Sequence, residues 1–256
     1  MTIGIFDSGV GGLSMVRAVD QLAPDADIIY FGDTARIPYG TKTTEQLEKI
    51  CSDNFSVMNS LGADRLFVAC GTMSSLLYNK GYPDMGIPYT TVIEATAAKA
   101  ASSTRSGSVA VLGTEATVRN RGFEKELFSF DPGLRIRYFP CQDFVMLCES
   151  GRMSPDDPEV RLAVDRYLSD MPEDTDTAIL GCTHFPFLAD AIRNKLGEIS
   201  LINCSYEAVL ANIGLFSPGS GRRDFFVSGD PAPFNEIKNR LLGYESDTLH
   251  MDVQAV

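Results

Sequence analysis

Three observations predict an α/β fold made of two pseudo-symmetric α/β domains with mainly parallel sheets. Short runs rich in β-branched residues alternate with longer stretches of helical period, the runs are apolar throughout, and one strand-plus-turn motif occurs twice. A strand in a parallel sheet is covered by helices on both faces, so it reads as a continuous apolar run and not as an alternating stripe. Such runs place strands at residues 3–6, 28–31, 65–69, 109–112, 136–138 and 178–180. Stretches with polar starts and helical period place helices at 12–21, 44–61, 94–102, 115–127 and 158–168.

In chain order, the first strand runs into Asp7-Ser8-Gly9-Val10-Gly11-Gly12, a glycine turn that opens a helix. Amides at such a helix start bind anions, but the turn matches neither GxGxxG nor a Walker A loop. A carboxylate fits it as well as a phosphate does, and a tight turn with close helix packing is the plain structural alternative. The third strand ends in Ala69-Cys70-Gly71-Thr72. After a Ser/Thr/Arg/Gly break at 102–108 the pattern returns, with Leu112-Gly113-Thr114 closing one strand and Leu180-Gly181-Cys182-Thr183-His184 closing another. The expected division is residues 1–98 plus 206–256 for one domain and 99–205 for the other, the tail packing back through a strand at 224–227 and a helix at 233–242. Ligands of open parallel sheets bind beyond the carboxyl ends of the strands. Both cysteine turns should therefore face one cleft between the domains.

Composition narrows the function. The 256 residues are 44% hydrophobic and 22% charged, an ordinary globular balance with chain enough for a large core. Acidic side chains outnumber basic ones 34 to 22, and a net charge of −12 repels nucleic-acid backbones and anionic membrane surfaces. The start Met1-Thr2-Ile3-Gly4 has neither the charged region nor the apolar core of a signal peptide, and no apolar run reaches membrane-spanning length, so a cytosolic protein is expected.

Six cysteines without a CxxC pair argue against a disulfide scaffold or a zinc site, and two histidines cannot supply a three-histidine metal centre. Cys51, Cys141, Cys148 and Cys204 read as core packing. Cys70 and Cys182 differ by position: each ends a strand ahead of a helix, where amide dipoles favour a thiolate. Each also has a polar partner in its own half, Asp7 for Cys70 and His184 for Cys182. A cysteine hydrolase needs one nucleophile. Two thiols on opposite sides of a planar carbon could instead take a proton from one face and return one to the other, which is stereoinversion.

These residues, together with Tyr30-Phe31-Gly32-Asp33-Thr34-Ala35-Arg36-Ile37-Pro38-Tyr39-Gly40, Gly113-Thr114-Glu115-Ala116-Thr117, Glu149 and Ser228-Gly229-Asp230-Pro231, resemble the glutamate racemases of the cofactor-independent aspartate/glutamate racemase superfamily over nearly the whole chain. The resemblance implies two-cysteine inversion of glutamate without pyridoxal phosphate or metal, in a bacterial cytosol, supplying D-glutamate for peptidoglycan. It implies that Cys70 acts on the D-enantiomer and Cys182 on the L-enantiomer, with Asp7 assisting Cys70 and His184 and Glu149 assisting Cys182. Ser8, Pro38, Tyr39, Gly40, Gly71, Thr72, Thr114, Thr117 and Thr183 fall at substrate-binding positions. A twofold homodimer is the expected assembly. Relatives with an N-terminal extension respond to a cell-wall precursor, and with only two residues ahead of the first strand no such control is expected. The chain departs from the family at Gly71, where an Asn donor usually follows the cysteine, and at Ser150 and Asn203, where acids are common. Gly71 keeps two alternatives open: a racemase of another acid such as aspartate, or a racemase-like binding protein without turnover.

Overall fold

The computed structural model describes residues 1–253. Its first half alternates β1 (Ile3–Asp7), α1 (Leu13–Leu22), β2 (Ile28–Gly32), α2 (Thr44–Ser60), β3 (Arg65–Val68), α3 (Gly71–Asn79), β4 (Tyr89–Thr91) and α4 (Ile93–Ser103). The second half begins with β5 (Ser108–Gly113), α5 (Glu115–Asn120), α6 (Gly122–Phe130), β6 (Arg135–Pro140) and α7 (Asp143–Glu149). It continues with α8 (Pro158–Leu168), β7 (Thr177–Leu180), α9 (Ala189–Leu196), β8 (Ser200–Asn203) and α10 (Cys204–Ala211). The tail adds β9 (Arg223–Val227), α11 (Pro231–Leu242) and β10 (Thr248–His250).

The strands form two sheets, ordered β10-β9-β2-β1-β3-β4 and β6-β5-β7-β8, and their pairings are parallel. Without the two tail strands the first sheet reads β2-β1-β3-β4, which is the order of the second with β5 in the place of β1. The repeated turn motif of the sequence is thus a repeated fold: Cys70 follows β3 and Cys182 follows β7, the strand beside the central one in each sheet. Tail strand β9 pairs with β2, setting Phe226 opposite Phe31.

One apolar core joins the sheets. Leu13, Val16 and Val19 of α1, Ile93 and Ala97 of α4, and Ala208 and Val209 of α10 pack with Ile3, Ile5 and Phe67 of one sheet and Val109, Val111 and Ile179 of the other. Two further clusters cover the outer faces, around Phe6, Phe31, Phe55 and Leu66 on one side and Leu112, Phe144, Val164 and Leu180 on the other. Local chemistry starts the helices. Thr43 and Gln46 form a capping box on α2, and Asp157 and Asp230 cap α8 and α11, each ahead of a proline at the first helical position.

The single helix expected at 115–127 is two. Arg121 adopts a left-handed conformation, φ 50°, which ends α5 and lets α6 start at Gly122 on a new axis. Gly122 lets α6 pack tightly there, since a Cβ would stand 3.3 Å from Ser75 Cα of α3. Among the described residues no helix is long and apolar enough to cross a membrane.

Candidate active site

The carboxyl ends of β1, β3, β5 and β7 meet. Asp7, fully buried at the end of β1, accepts a hydrogen bond from the Gly12 amide at 2.9 Å through Oδ2 and one from Thr183 Oγ1 at 3.1 Å through Oδ1. The second bond crosses from one sheet to the other. Burial pushes the Asp7 carboxyl above its ordinary value, against the pull of His184 and Thr183.

Cys70 caps the amino end of α3 as expected, and the amides of Thr72 and Met73 act on its sulfur in the direction that favours thiolate. Burial nevertheless dominates and, with the charge of Asp7, holds the thiol well above its ordinary value. Cys182 also lies ahead of a helix, but through a short 3-10 turn, Phe185–Leu188, that runs directly into α9, so its sulfur is farther from that helix's amino end than Cys70 is from that of α3. Its sulfur lies 3.5 Å from His184 Nδ1, His184 Nε2 lies 2.7 Å from Glu149 Oε1, and the same oxygen accepts from the Val10 amide at 2.9 Å. The carboxyl end of α7 delivers Glu149, and the glycine turn after β1 delivers Val10.

His184 is buried, which alone would depress its pKa. The hydrogen bond and charge of Glu149, with Asp7 behind them, outweigh that and raise it. Cys182 is pushed up by burial and by the charges of Cys70 and Asp7, against the His184 amide. Low-dielectric surroundings therefore hold both thiols in the neutral form, so ionising one requires a compensating positive charge nearby.

The expected binding residues gather around these groups. Thr72 Oγ1 lies 2.8 Å from Thr114 Oγ1, which lies 3.0 Å from Thr117 Oγ1, so hydroxyls of both halves form one cluster. Tyr39 is buried, its hydroxyl donating to Asp33 and accepting from Asn54 Nδ2 at 2.9 Å. Gly40 packs on Thr114 and Gln142. Ser8 is buried in the turn after Asp7, and Pro38 is half-buried before Tyr39, after a cis peptide bond from Ile37. Glycine is required where the halves touch: a Cβ at Gly11 would stand 2.5 Å from His184 Nδ1, and one at Gly71 would stand 2.0 Å from the Gly181 carbonyl oxygen and 3.6 Å from Cys182 Cα.

Sequence reasoning missed several supporting groups. Asp33, fully buried, also accepts from Arg36 Nε at 2.6 Å and Ser228 Oγ at 2.7 Å, tying the segment that carries Tyr39 to the end of β9. Tyr30 donates to the Gly9 carbonyl at 2.5 Å and steadies the turn after Asp7. Gln142 has a buried Nε2 without a protein partner, beside the Gly40 turn. A buried carboxylate opposite an arginine and a tyrosine is a signal that the Asp33-Thr34-Ala35-Arg36 string carried. Tyr30 and Gln142 carried none. Of the departures, Ser150 ends α7 and lines a cavity beside Glu149, whereas Asn203 caps α10 by accepting from Ser205 and Tyr206, as an aspartate would. A cavity of about 340 Å³, lined by Val10, Thr34, Ile37, Glu149 and Phe234, opens beside Glu149.

Two thiols set at equivalent strand ends of a duplicated α/β fold, one with a His–Glu pair and the other beside an aspartate, define the class of two-lobed proteins with paired cleft cysteines. The chain belongs to the Asp/Glu/Hydantoin racemase family, whose model matches residues 3–210. It is 38% identical to a glutamate racemase of Geobacter metallireducens, over 94% of this chain and 92% of that one. Among solved structures, a glutamate racemase isoform of Bacillus anthracis superposes with a TM-score of 0.89 at 29% identity, covering 98% and 97% of the two chains. A glutamate racemase of Francisella tularensis solved in complex with D-glutamate gives 0.85 at 28%, covering 100% and 98%. An aspartate racemase of Picrophilus torridus reaches 0.58 at 18% identity, a likeness of fold alone.

Proposed function

We propose that the protein is a glutamate racemase that interconverts L- and D-glutamate with two cysteines as acid and base. The observation that carries the reading is the Cys182–His184–Glu149 hydrogen-bonded chain after β7, joined through Thr183 to Asp7, with Cys70 at the matching end of β3. In the D-to-L direction the Cys70 thiolate takes the α-proton and becomes a thiol, and the Cys182 thiol gives its proton to the opposite face and becomes a thiolate. The reverse direction exchanges their parts. His184 and Glu149 serve the proton of Cys182, and Asp7 serves that of Cys70.

Both thiols are held neutral by burial, so the substrate's ammonium is the positive charge that makes one of them ionisable. The carbanion is the harder problem, because the α-carbon is next to a carboxylate already negative. Ser8, Tyr39, Gly40, Thr72, Thr114, Thr117 and Thr183 supply hydroxyls and amides where that charge grows, and Pro38 shapes the turn that presents Tyr39. The two thiols titrate as a pair. The role fits D-glutamate supply for peptidoglycan in a bacterial cytosol, with a twofold dimer as the expected assembly, to be checked by sedimentation.

Proton NMR of either enantiomer in D₂O without added cofactor, beside a circular dichroism trace, tests the reading. Loss of the α-proton signal with convergence to a racemate is the expected result. Absence of exchange with glutamate, but exchange with aspartate, would move the substrate; silence with both would leave a binding protein. Cys70→Ser and Cys182→Ser should each abolish racemisation, and full activity in either would end the two-thiol assignment.

A further inference from the structure

The family's usual donor after the first cysteine is absent, and the geometry at that position gives a reason for it. Gly71 lies where the two cysteine turns touch. An ideal Cβ on it would stand 2.0 Å from the Gly181 carbonyl oxygen and 3.1 Å from its carbon. These are backbone atoms at the end of β7, and Gly181 is itself confined: its own Cβ would meet the Leu112 carbonyl oxygen at 2.9 Å and the Phe123 ring at 2.9 Å. Its amide donates to Leu112 at 2.8 Å, which fixes the peptide plane. Gly181 therefore cannot yield to a side chain at 71 by a rotamer change. Only separation of the two strand ends would make room, by more than 1 Å if a carbon and an oxygen are to reach ordinary contact at roughly 3.3 Å.

We infer that Gly71 is a spacing residue: by lacking a side chain it sets how closely the turns bearing Cys70 and Cys182 approach, and so the gap across which the α-proton is exchanged. The inference rests on the racemase reading and deepens it. The bare position is then a condition of the reaction in this chain, not a missing donor awaiting replacement. Gly71→Asn, which restores the family's usual residue, should impair this protein and not improve it. Proton transfer is steep in distance, and a misplacement of about 1 Å can cost on the order of 10² in rate. The loss belongs in kcat, since no binding donor is removed. A widened gap also has a diagnostic. A thiol that has taken the α-proton then waits longer for its partner to deliver one, long enough to trade that proton for solvent deuterium and return the deuterium to the same face, so exchange with retention rises relative to inversion.

The test compares the unsubstituted protein with Gly71→Ala and Gly71→Asn. Expected are a kcat lower by about 10²-fold for Gly71→Ala and at least as low for Gly71→Asn, KM changed less than about threefold, and a higher ratio of deuterium incorporation into unreacted substrate to inversion in D₂O. Alkylation of Cys70 and Cys182 by iodoacetamide, mapped by mass spectrometry against Cys141 and Cys204, should accelerate in both variants and requires no turnover. Undiminished kcat in Gly71→Ala, or a gain in Gly71→Asn, overturns the inference. Should neither variant fold, a crystal structure of the unsubstituted protein with D-glutamate decides: Gly71 still in contact with the Gly181 carbonyl upholds it, and space for a methyl group between them overturns it. Failure of the racemase reading is separate and shows as an unsubstituted protein that inverts nothing.

Discussion

Glu149 Oε1 serves two donors, the Val10 amide and the His184 ring, and its charge lifts the histidine's pKa above 6.5 although burial opposes this. In Glu149→Gln the burial remains and the main opposing charge is gone, so the His184 pKa should fall. Ring nitrogen shifts in an NMR titration read this directly, because His250 is the one other histidine of the chain. Racemisation should drop by about 10²-fold or more with it, the price of a mis-tuned acid–base partner. The raised pKa also has a stability consequence: the His184–Glu149 interaction contributes fully below the unfolded value near 6.5 and is lost as pH rises through the higher folded value. An unchanged His184 titration in the variant would show that Glu149 does not tune it. At this scale the sequence was legible for residues whose chemistry is rare, the cysteine turns and their partners. It placed Gly181, Val10 and Tyr30 in motifs but was silent on what they do, because they act through a backbone atom or through a hydroxyl aimed at one.

The segment between β2 and α2 has little regular structure to hold it, and Asp33 anchors it by accepting from Tyr39, Arg36 and Ser228. Asp33→Ala should lower stability by about 3 kcal/mol in urea unfolding, since it leaves a buried tyrosine O–H without its acceptor and removes one of the three acceptors of Arg36. It should also raise KM, as the Tyr39–Gly40 turn loses its anchor. A variant with unchanged KM would place that turn outside substrate binding. Elements differ in legibility for a physical reason. Strands such as 108–113 and 177–180 are buried on both faces and read as apolar runs. The short edge strands Tyr89–Thr91, Ser200–Asn203 and Thr248–His250 are partly exposed and carry polar residues, so no run marks them. Helix α3 was expected from the turn at Cys70 and not from a pattern of its own: residues 71–77 are all buried, so it lacks the one-sided periodicity that reveals a surface helix.

The sheets share one core through α1, α4 and α10, so the halves form a continuous apolar body behind the cleft. Leu13, fully buried in that layer, is a probe of it. Leu13→Ala should cost about 3 kcal/mol and lower the unfolding midpoint of both halves together, in one transition by circular dichroism and tyrosine fluorescence. Two separated transitions would mean that the halves unfold independently. The duplication itself was visible in the sequence through the repeated cysteine turns, whereas the shared layer was not, because α10 was unmarked and nothing local says which face of a buried helix meets which sheet.

In front of that core the halves are joined by hydrogen bonds instead. Thr183 donates to Asp7, and Val10 to Glu149. These donors and acceptors are the ones a zwitterionic amino acid would seek, so the cleft competes with its own guest. A bond the guest makes to one of these groups replaces one the protein had, and its contribution to affinity is only the difference between them. Two enantiomers are equal in free energy in solution, so the reaction itself favours neither of them. Whichever form is in excess can enter, invert and leave.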